Sequence, residues 1–424
     1  MTLIGPLAAA CGGDDDKGDG GSKGPASFEF WGWAPGYADS VKAWNASHPE
    51  IKVTYREIPP GAKGGYSKML SAVKSGNAPC LAQVGYESLP SFLSEGAVQD
   101  VSAHADKAKS QFTDWSWSQA QFEGKTYAVP VDIGPQAMYY RKDVLAEHKI
   151  EVPKTWEEFK AAAQKLKKAD PSSSLTSFPT AASSSYWFAG LSWQAGGKWF
   201  QTRGDSWKVG LADPATLKVA DYWQGLLKEK LVRTDAAFSP EWYKGLGSGK
   251  TAIAIGAVWL NTLIQENAAA TKGKWAVAPT PQWQAGGKAA GNEGGSPNAV
   301  LKGCKFPAQA AEFATWFATD PGSLKNLIEK TGIYPAAKAG QQLPEANKPS
   351  EFYGGQNIYE VFKDAAANTD PGWKWGPTMT DSATVIDDAF GRAAAGRTTL
   401  GGALQDAQAK TLKSMKDKGI NATG

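Results

Sequence analysis

A carboxylate placed between a strand and a chain-breaking pair is the first feature of this sequence that can do chemistry. Asp132 closes the run Tyr127-Ala128-Val129-Pro130-Val131, and Gly134-Pro135 follows it. Tyr127, Val129 and Val131 alternate at period two, the pattern of a half-buried strand. Gly134-Pro135 breaks the pattern. A second apolar run, Ala137-Met138-Tyr139-Tyr140, then leads to Arg141-Lys142-Asp143. A strand end fixes the acid, the glycine leaves room beside it, and the neighbouring rings offer a face. Those are the requirements of a site for a polar ligand; a solvated Asp in a surface turn is the plainer alternative.

The elements that must position Asp132 can be read on both sides of it. Phe28 and Phe30 alternate with Glu29 and Trp31 in a strand that ends in Trp31-Gly32-Trp33. A helix pattern through Val41 and Trp44 follows, then a second strand with Ile51, Val53 and Tyr55. Tyr66 to Lys74 reads as a helix, and Leu81 to Val84 as a short strand ending in Gly85-Tyr86-Glu87. Strands alternating with helices indicate a parallel α/β sheet. Ligands of such sheets sit beyond the carboxyl ends of the strands, here marked by Trp33 and by Tyr86-Glu87.

Downstream of Asp132, Thr155-Trp156-Glu157-Glu158 is a capping box opening a helix to about Lys168. Asp213-Pro214 and Ser239-Pro240 open two more helices, with Pro at the first helical position. Ala252 to Ile255, Trp275 to Ala278 and Ser296 to Leu301 read as strands. Helices are expected over Ala308–Thr319, Thr384–Ala395 and Leu400–Lys416.

Length and composition bound the function. At 424 residues the chain is long enough for two domains. Lys+Arg 45 against Asp+Glu 42 is near balance with no basic block, which argues against a nucleic-acid partner. The 18 Trp outnumber the 16 Phe, more than a core alone calls for, so some of them are expected on stacking surfaces. His48, His104 and His148 are scattered, with no ligand-spaced cluster for a metal; no cofactor is expected either. Gly245-Leu246-Gly247-Ser248-Gly249-Lys250-Thr251 imitates a phosphate loop, yet Lys244 stands where Gly is needed. A helix precedes it and a strand follows, so no helix N-terminus faces a phosphate. Gly20-Gly21-Ser22-Lys23-Gly24 imitates a nucleophile elbow without the strand and helix that motif requires.

The cysteines carry positional information. Cys11 follows Leu7-Ala8-Ala9-Ala10 and precedes Gly12-Gly13 and an acidic, Gly-rich run. This resembles a bacterial lipoprotein signal, which implies residues 1–11 as a signal remnant, acylation of Cys11, and residues 12–26 as a flexible tether. No other stretch approaches the ~18 apolar residues of a membrane span. Cys80 and Cys304 remain, an even pair in an exported chain, where disulfides persist.

Taken in order, Phe30-Trp31-Gly32-Trp33, His48-Pro49-Glu50-Ile51-Lys52-Val53, Ser75-Gly76-Asn77-Ala78-Pro79, Tyr127 to Asp143, Pro153 to Phe159, Ser248 to Ala252 and Gly294-Gly295-Ser296 carry a family resemblance. The tail Gly396-Arg397-Thr398 with Ala403-Leu404 adds to it. The chain resembles the extracellular solute-binding proteins of bacterial ABC importers, in the sugar-binding branch that includes maltose-binding protein. The resemblance implies an α/β, two-lobe periplasmic-binding-protein (type II) fold, its two α/β domains joined by a multi-strand hinge. Residues 27–132 with 298–340 would form the N-terminal lobe, and 133–297 with 341–424 the C-terminal lobe. Crossings are expected near residues 132–137, 294–298 and 335–350. In this family the third strand lies antiparallel to the strand returning to the first lobe. That implies neighbouring positions, and a disulfide, for Cys80 and Cys304. Many members carry Asp where Cys80 stands.

A sugar presents C–H patches on its faces and hydroxyls at its edge, and a buried hydroxyl left unpaired costs about 1–3 kcal/mol. Trp33, Tyr86, Tyr186, Trp187, Trp259 and Trp375 are the stacking candidates, with Glu87, Asp132, Glu293 and Ser296 for hydroxyls. Trp259 matches a sugar-stacking Trp of maltose-binding protein. Trp44 and Trp156, on helices, fit a core. The resemblance implies a monomeric carrier, not an enzyme. It would close about a carbohydrate, deliver it to the permease subunits, and be held by lipid at the extracytoplasmic face of the cell membrane. Two alternatives stand beside it. One is a glycoside hydrolase pairing Glu87 with Asp132 or Glu293, which needs about 5–10 Å between carboxylates. The other is a carrier for a non-sugar polar solute.

Overall fold

Residues 24–424 are described by the computed structural model; Cys11 and most of the 12–26 segment lie outside the described residues. Alternation in the opening strand decides the first sheet. Along Ala26–Gly32, Phe28 and Phe30 are buried while Ser27 and Glu29 are exposed. Phe30 packs its ring on Tyr37, Phe313 and Phe317 at 5.7–5.8 Å, which brings the helices Tyr37–Ser47 and Pro307–Thr319 onto one face. Ile51–Glu57 and Leu81–Gln83 flank the strand in parallel. Pro297–Val300 then pairs antiparallel with Leu81–Gln83, and Ala128–Pro130 antiparallel with Pro297–Val300. The sheet is thus parallel where strands and helices alternate and antiparallel where the chain returns.

Ala128–Pro130 differs from the half-buried strand its alternation suggested, being buried on both faces. Val129 joins one apolar cluster and Ala128 a second that includes Trp31, Ala82 and Ala299. Both faces of the sheet are covered, so alternation here separates two cores rather than core from water.

The second apolar run, Gln136–Arg141, is the centre of another sheet, antiparallel to Ile253–Ala257 and to Trp275–Ala278. Arg141 closes it. Its guanidinium pairs with Asp143 at 2.7–2.8 Å and donates to the Leu246 and Gly247 carbonyls at 3.0 and 3.1 Å. Those carbonyls end the helix Pro240–Ser248, which stops at left-handed Gly249. The loop that imitates a phosphate site is therefore a helix C-terminus already satisfied by a cation.

Capping follows the sequence. Thr155 Oγ1 accepts from the Glu158 N–H at 3.1 Å, opening Trp156–Ala169, and Glu158 reaches back to the Lys154 N–H at 2.7 Å. Asp213 accepts from the Thr216 N–H at 2.7 Å at the head of Pro214–Lys228. The tail forms Met379–Ala394 and Leu400–Asp417.

Three segments join the two sheets. Asp132–Ile133 pairs antiparallel with Tyr334–Pro335, and Pro135 bridges to Asn292. Gly134 donates to Asn292 Oδ1 at 2.8 Å and accepts from the Glu293 N–H at 2.7 Å. A Cβ at residue 134 would strike the Glu293 carbonyl, so only glycine lets these crossings touch. Gly295 sits at φ +82° against Ile133 for a like reason.

Cys80 and Cys304 form a disulfide with Cα atoms 4.4 Å apart and a sequence separation of 224. Among the described residues no helix is long and apolar enough to cross a membrane, and no group of three His, Cys, Asp or Glu is placed to hold a metal. Closing so long a loop stabilises by up to roughly 5 kcal/mol in the chain-entropy picture. Thiol titration in denaturant without reductant should find no reactive thiol other than Cys11, and reduction should lower the urea midpoint. Titration of Cys80 or Cys304 would contradict the bridge.

Candidate functional site

The strand ends and the crossings surround one cleft of about 470 Å³ between the two sheets. From the first sheet come Trp33, Gln83 and Glu87, each just at or beyond a strand end. Asp132, Gly294, Gly295 and Ser296 supply the floor, and Tyr186, Trp259 and Glu293 the opposite wall.

One hydrogen-bond chain fixes the floor. The backbone N–H groups of Trp33 and Ala34 donate to Gln83 Oε1 at 3.0 and 3.3 Å. Gln83 Nε2 is 3.1 Å from Ser296 Oγ. Ser296 gives both its N–H, at 2.8 Å, and its hydroxyl, at 3.1 Å, to Asp132 Oδ1. The first strand, the third strand and two crossings are thereby held to a single carboxylate.

Two further acids face the same space. Glu87 Oε1 accepts from the Tyr66 hydroxyl at 2.6 Å, and that hydroxyl accepts from the Gly85 N–H at 3.1 Å. Glu87 Oε2 is buried and has no partner. Glu293 Oε2 accepts from Gln136 Nε2 at 3.1 Å. Glu87, Asp132 and Glu293 are 4–5 % exposed, and no ion pair among the described residues involves them. Burial pushes each of the three up to about 7, against the opposing pull of their hydrogen bonds. The Glu87 charge adds to the rise at Asp132.

The rings divide into two groups. Trp33 lies edge-on to Tyr66 with centroids 5.8 Å apart. Trp259 packs on Phe238 at 5.8 Å and donates its indole N–H to the Glu293 carbonyl at 3.2 Å. Trp33, Trp259 and Tyr186 line the cleft. Tyr86 and Trp375 do not, and Trp187 lines a smaller pocket that shares Ser183, Phe238, Trp259 and Glu293 with the cleft. Tyr86 is buried with its ring against Trp115 at 5.8 Å. Trp187 packs on Trp223 at 4.9 Å and donates to the Ile255 carbonyl at 3.0 Å. Trp375 stands behind Tyr186, centroids 6.3 Å apart, in a cluster with Trp193 and Trp373. All three are buried, and each packs edge-on or tilted against a neighbouring ring.

Of the ten candidates, Trp33, Glu87, Asp132, Tyr186, Trp259, Glu293 and Ser296 are brought together at the cleft. The sequence reading did not single out Tyr37, Lys63, Tyr66, Gln83, Phe238 or Tyr243, which line it too. Gln83 had a signal, since it lies near the end of the strand read over Leu81 to Val84, just before Gly85-Tyr86-Glu87. Tyr66 follows Gly64-Gly65 at a helix start, which is too common a context to point anywhere.

The chain matches the family model "Bacterial extracellular solute-binding protein" over residues 6–323. It is 30% identical over 365 residues to the diacetylchitobiose binding protein DasA of Streptomyces coelicolor, covering 81% of this chain and 82% of that one. It is 23% identical over 389 residues to the arabinooligosaccharide-binding protein of Bacillus subtilis, covering 88% and 87%. The ABC-transporter-associated binding protein of B. animalis subsp. lactis, solved with beta-1,6-galactobiose, superposes with a TM-score of 0.85 at 28% identity, over 94% of this chain and 99% of that one. The lacto-N-biose complex of a Bifidobacterium longum binding protein gives 0.84 at 29%, over 95% and 100%.

The raised acids have a consequence for stability. Their ordinary values are 4.5 for Glu and 3.8 for Asp, so the folded chain keeps protons near pH 6 that the unfolded chain has lost. Stability contributed this way is present below about pH 4 and is lost as pH rises to about 7. The ligand-free protein should melt at a lower temperature at pH 8 than at pH 5.5, and Glu87→Gln should flatten the slope. A melting temperature that rises across this interval would contradict the assignment.

Proposed function

The chain belongs to the bacterial extracellular solute-binding proteins, and from that premise we propose that it is the carbohydrate-binding component of an ABC importer. The observation that carries this reading is the cleft itself: indole and phenol faces from both sheets enclosing buried carboxylates that lack a cation. Rings match the C–H faces of a sugar and acids accept from its hydroxyls. Asp132 and Ser296 would hold one edge of the guest, Glu87 and Glu293 the other, and Trp33, Tyr186 and Trp259 its faces. The bodies that move would be residues 27–132 with 298–340 and residues 133–297 with 341–424. A guest touching both stabilises the closed form by its differential affinity, and the closed form is what permease subunits would read. We infer further that the carrier works as a monomer at the extracytoplasmic face of the cell membrane, tethered through acylated Cys11.

Thermal-shift screening against mono- and oligosaccharides tests the reading. A true ligand at 100 times its Kd should add about 2.7 kcal/mol of stability. Trp259→Ala, at a half-buried ring, should weaken binding about tenfold, or about 1.4 kcal/mol, with little change in melting temperature. Asp132→Asn should weaken it further. Shifts with amino acids or peptides but with no sugar would end the carbohydrate assignment, and release of reducing sugar from bound oligosaccharides would point to a hydrolase instead.

A further inference from the structure

The cleft is one-sided in the sign of its chemistry. Glu87, Asp132 and Glu293 line it, and Lys63 is the single cationic side chain among its lining residues. Lys63 is exposed, with its ammonium 5.8 Å from the Phe238 ring centroid rather than on an acid. Elsewhere the chain does pair a buried charge: Arg141, 5 % exposed, has Asp143 and two helix carbonyls. The acids of the cleft have no such partner. One of them, Glu87, also keeps an oxygen that nothing in the protein satisfies, although the side chain is 4 % exposed and borders the cleft.

Leaving an ionised carboxylate buried and unpaired costs several kcal/mol. A sugar hydroxyl can donate to such an oxygen but leaves its charge in place. A guest ammonium supplies three donors and cancels the charge, and charge-assisted hydrogen bonds are about twice as strong as neutral ones. A guest uronate or phosphate would add negative charge beside three acids that have no counter-ion. We propose, resting on the carbohydrate reading above, that the cleft selects by charge and that its preferred guest is an amino sugar with a free amine, held by Glu87 and Asp132.

The groups around the two acids leave the titration to them. Glu87 is faced by Tyr66 and Tyr186, and Asp132 by Tyr37, Tyr86, Glu87 and Ser296. Burial holds all four phenols neutral, well above their ordinary 10. On the far wall Glu293 is faced by Gln136 and by Tyr139, also held neutral. Affinity for a protonated amine should therefore tighten from pH 5.5 to 7, as protons leave the acids, with net proton release on binding. A neutral guest should show no such gain.

Calorimetry on the full chain at pH 7 decides the matter with matched sets: glucosamine, glucose and glucuronate; galactosamine, galactose and galacturonate; and the β-linked dimers of glucosamine and glucose. The expected result is an amino member at least tenfold tighter than its neutral counterpart, and no measurable heat from the acids. Glu87→Gln should cut that advantage below threefold, the ratio of amino to neutral affinity being the readout because both guests lose some binding; if that variant misfolds, Asp132→Asn is read by the same ratio. The wild-type ranking stands without either variant. A neutral sugar that equals or exceeds its amino counterpart overturns the charge inference and leaves the carbohydrate reading intact, as does binding of a uronate. Failure of every sugar, amino sugars included, overturns both.

Discussion

Ser296 gives two hydrogen bonds to one oxygen of Asp132, and most of the site depends on that contact. It sits where the chain first leaves the five-stranded sheet and where it first comes back. Through Gln83 the same contact reaches the ends of the first and third strands. A carboxylate buried without a cation would normally be a weakness in a core. Here its hydrogen bonds tie together four segments that are distant in sequence, and the cleft opens directly above them. The glycines at 134 and 295 allow the crossings to come close enough for this to happen. Floor and hinge are therefore one piece of structure, so a guest that touches the floor also touches what would move.

The local physics of the chain was legible where short-range rules apply. Thr155 and Asp213 cap helices because an oxygen three residues ahead of an N–H reaches it regardless of the fold. Asp132 could be placed because a strand must end at a Gly-Pro pair, and α/β sheets put their ligands at such ends. The cysteine pair came from family likeness, and the antiparallel register of Leu81–Gln83 with Pro297–Val300 is what brings the two residues together.

The aromatic residues show why the remainder could not be read. Tyr186 and Trp187 are neighbours on one helix, Ser184–Gln194, that is buried all round. A hundred-degree turn of the helix sends one ring to the cleft and the other to Trp223, and a helix buried on every side carries no polar stripe to say which. Trp375 had the right type and a loop setting, but it is buried edge-on against Trp373 and against Trp193, which lies nearly two hundred residues earlier in the chain. Tyr66 is the converse case. An ordinary helical tyrosine in sequence, it becomes part of the site because its hydroxyl meets Glu87.

The disulfide has a mechanical consequence. It joins residues on either side of the entire second sheet, so everything from 81 to 303 hangs from a covalently closed ring. Tension applied between the two ends of the chain passes across the sulfur bridge and bypasses the ring. Pulling would pay out only the segments up to Cys80 and beyond Cys304, the crossing at Tyr334–Pro335 among them, while the cleft's floor, its other two crossings and all three acids carry no load.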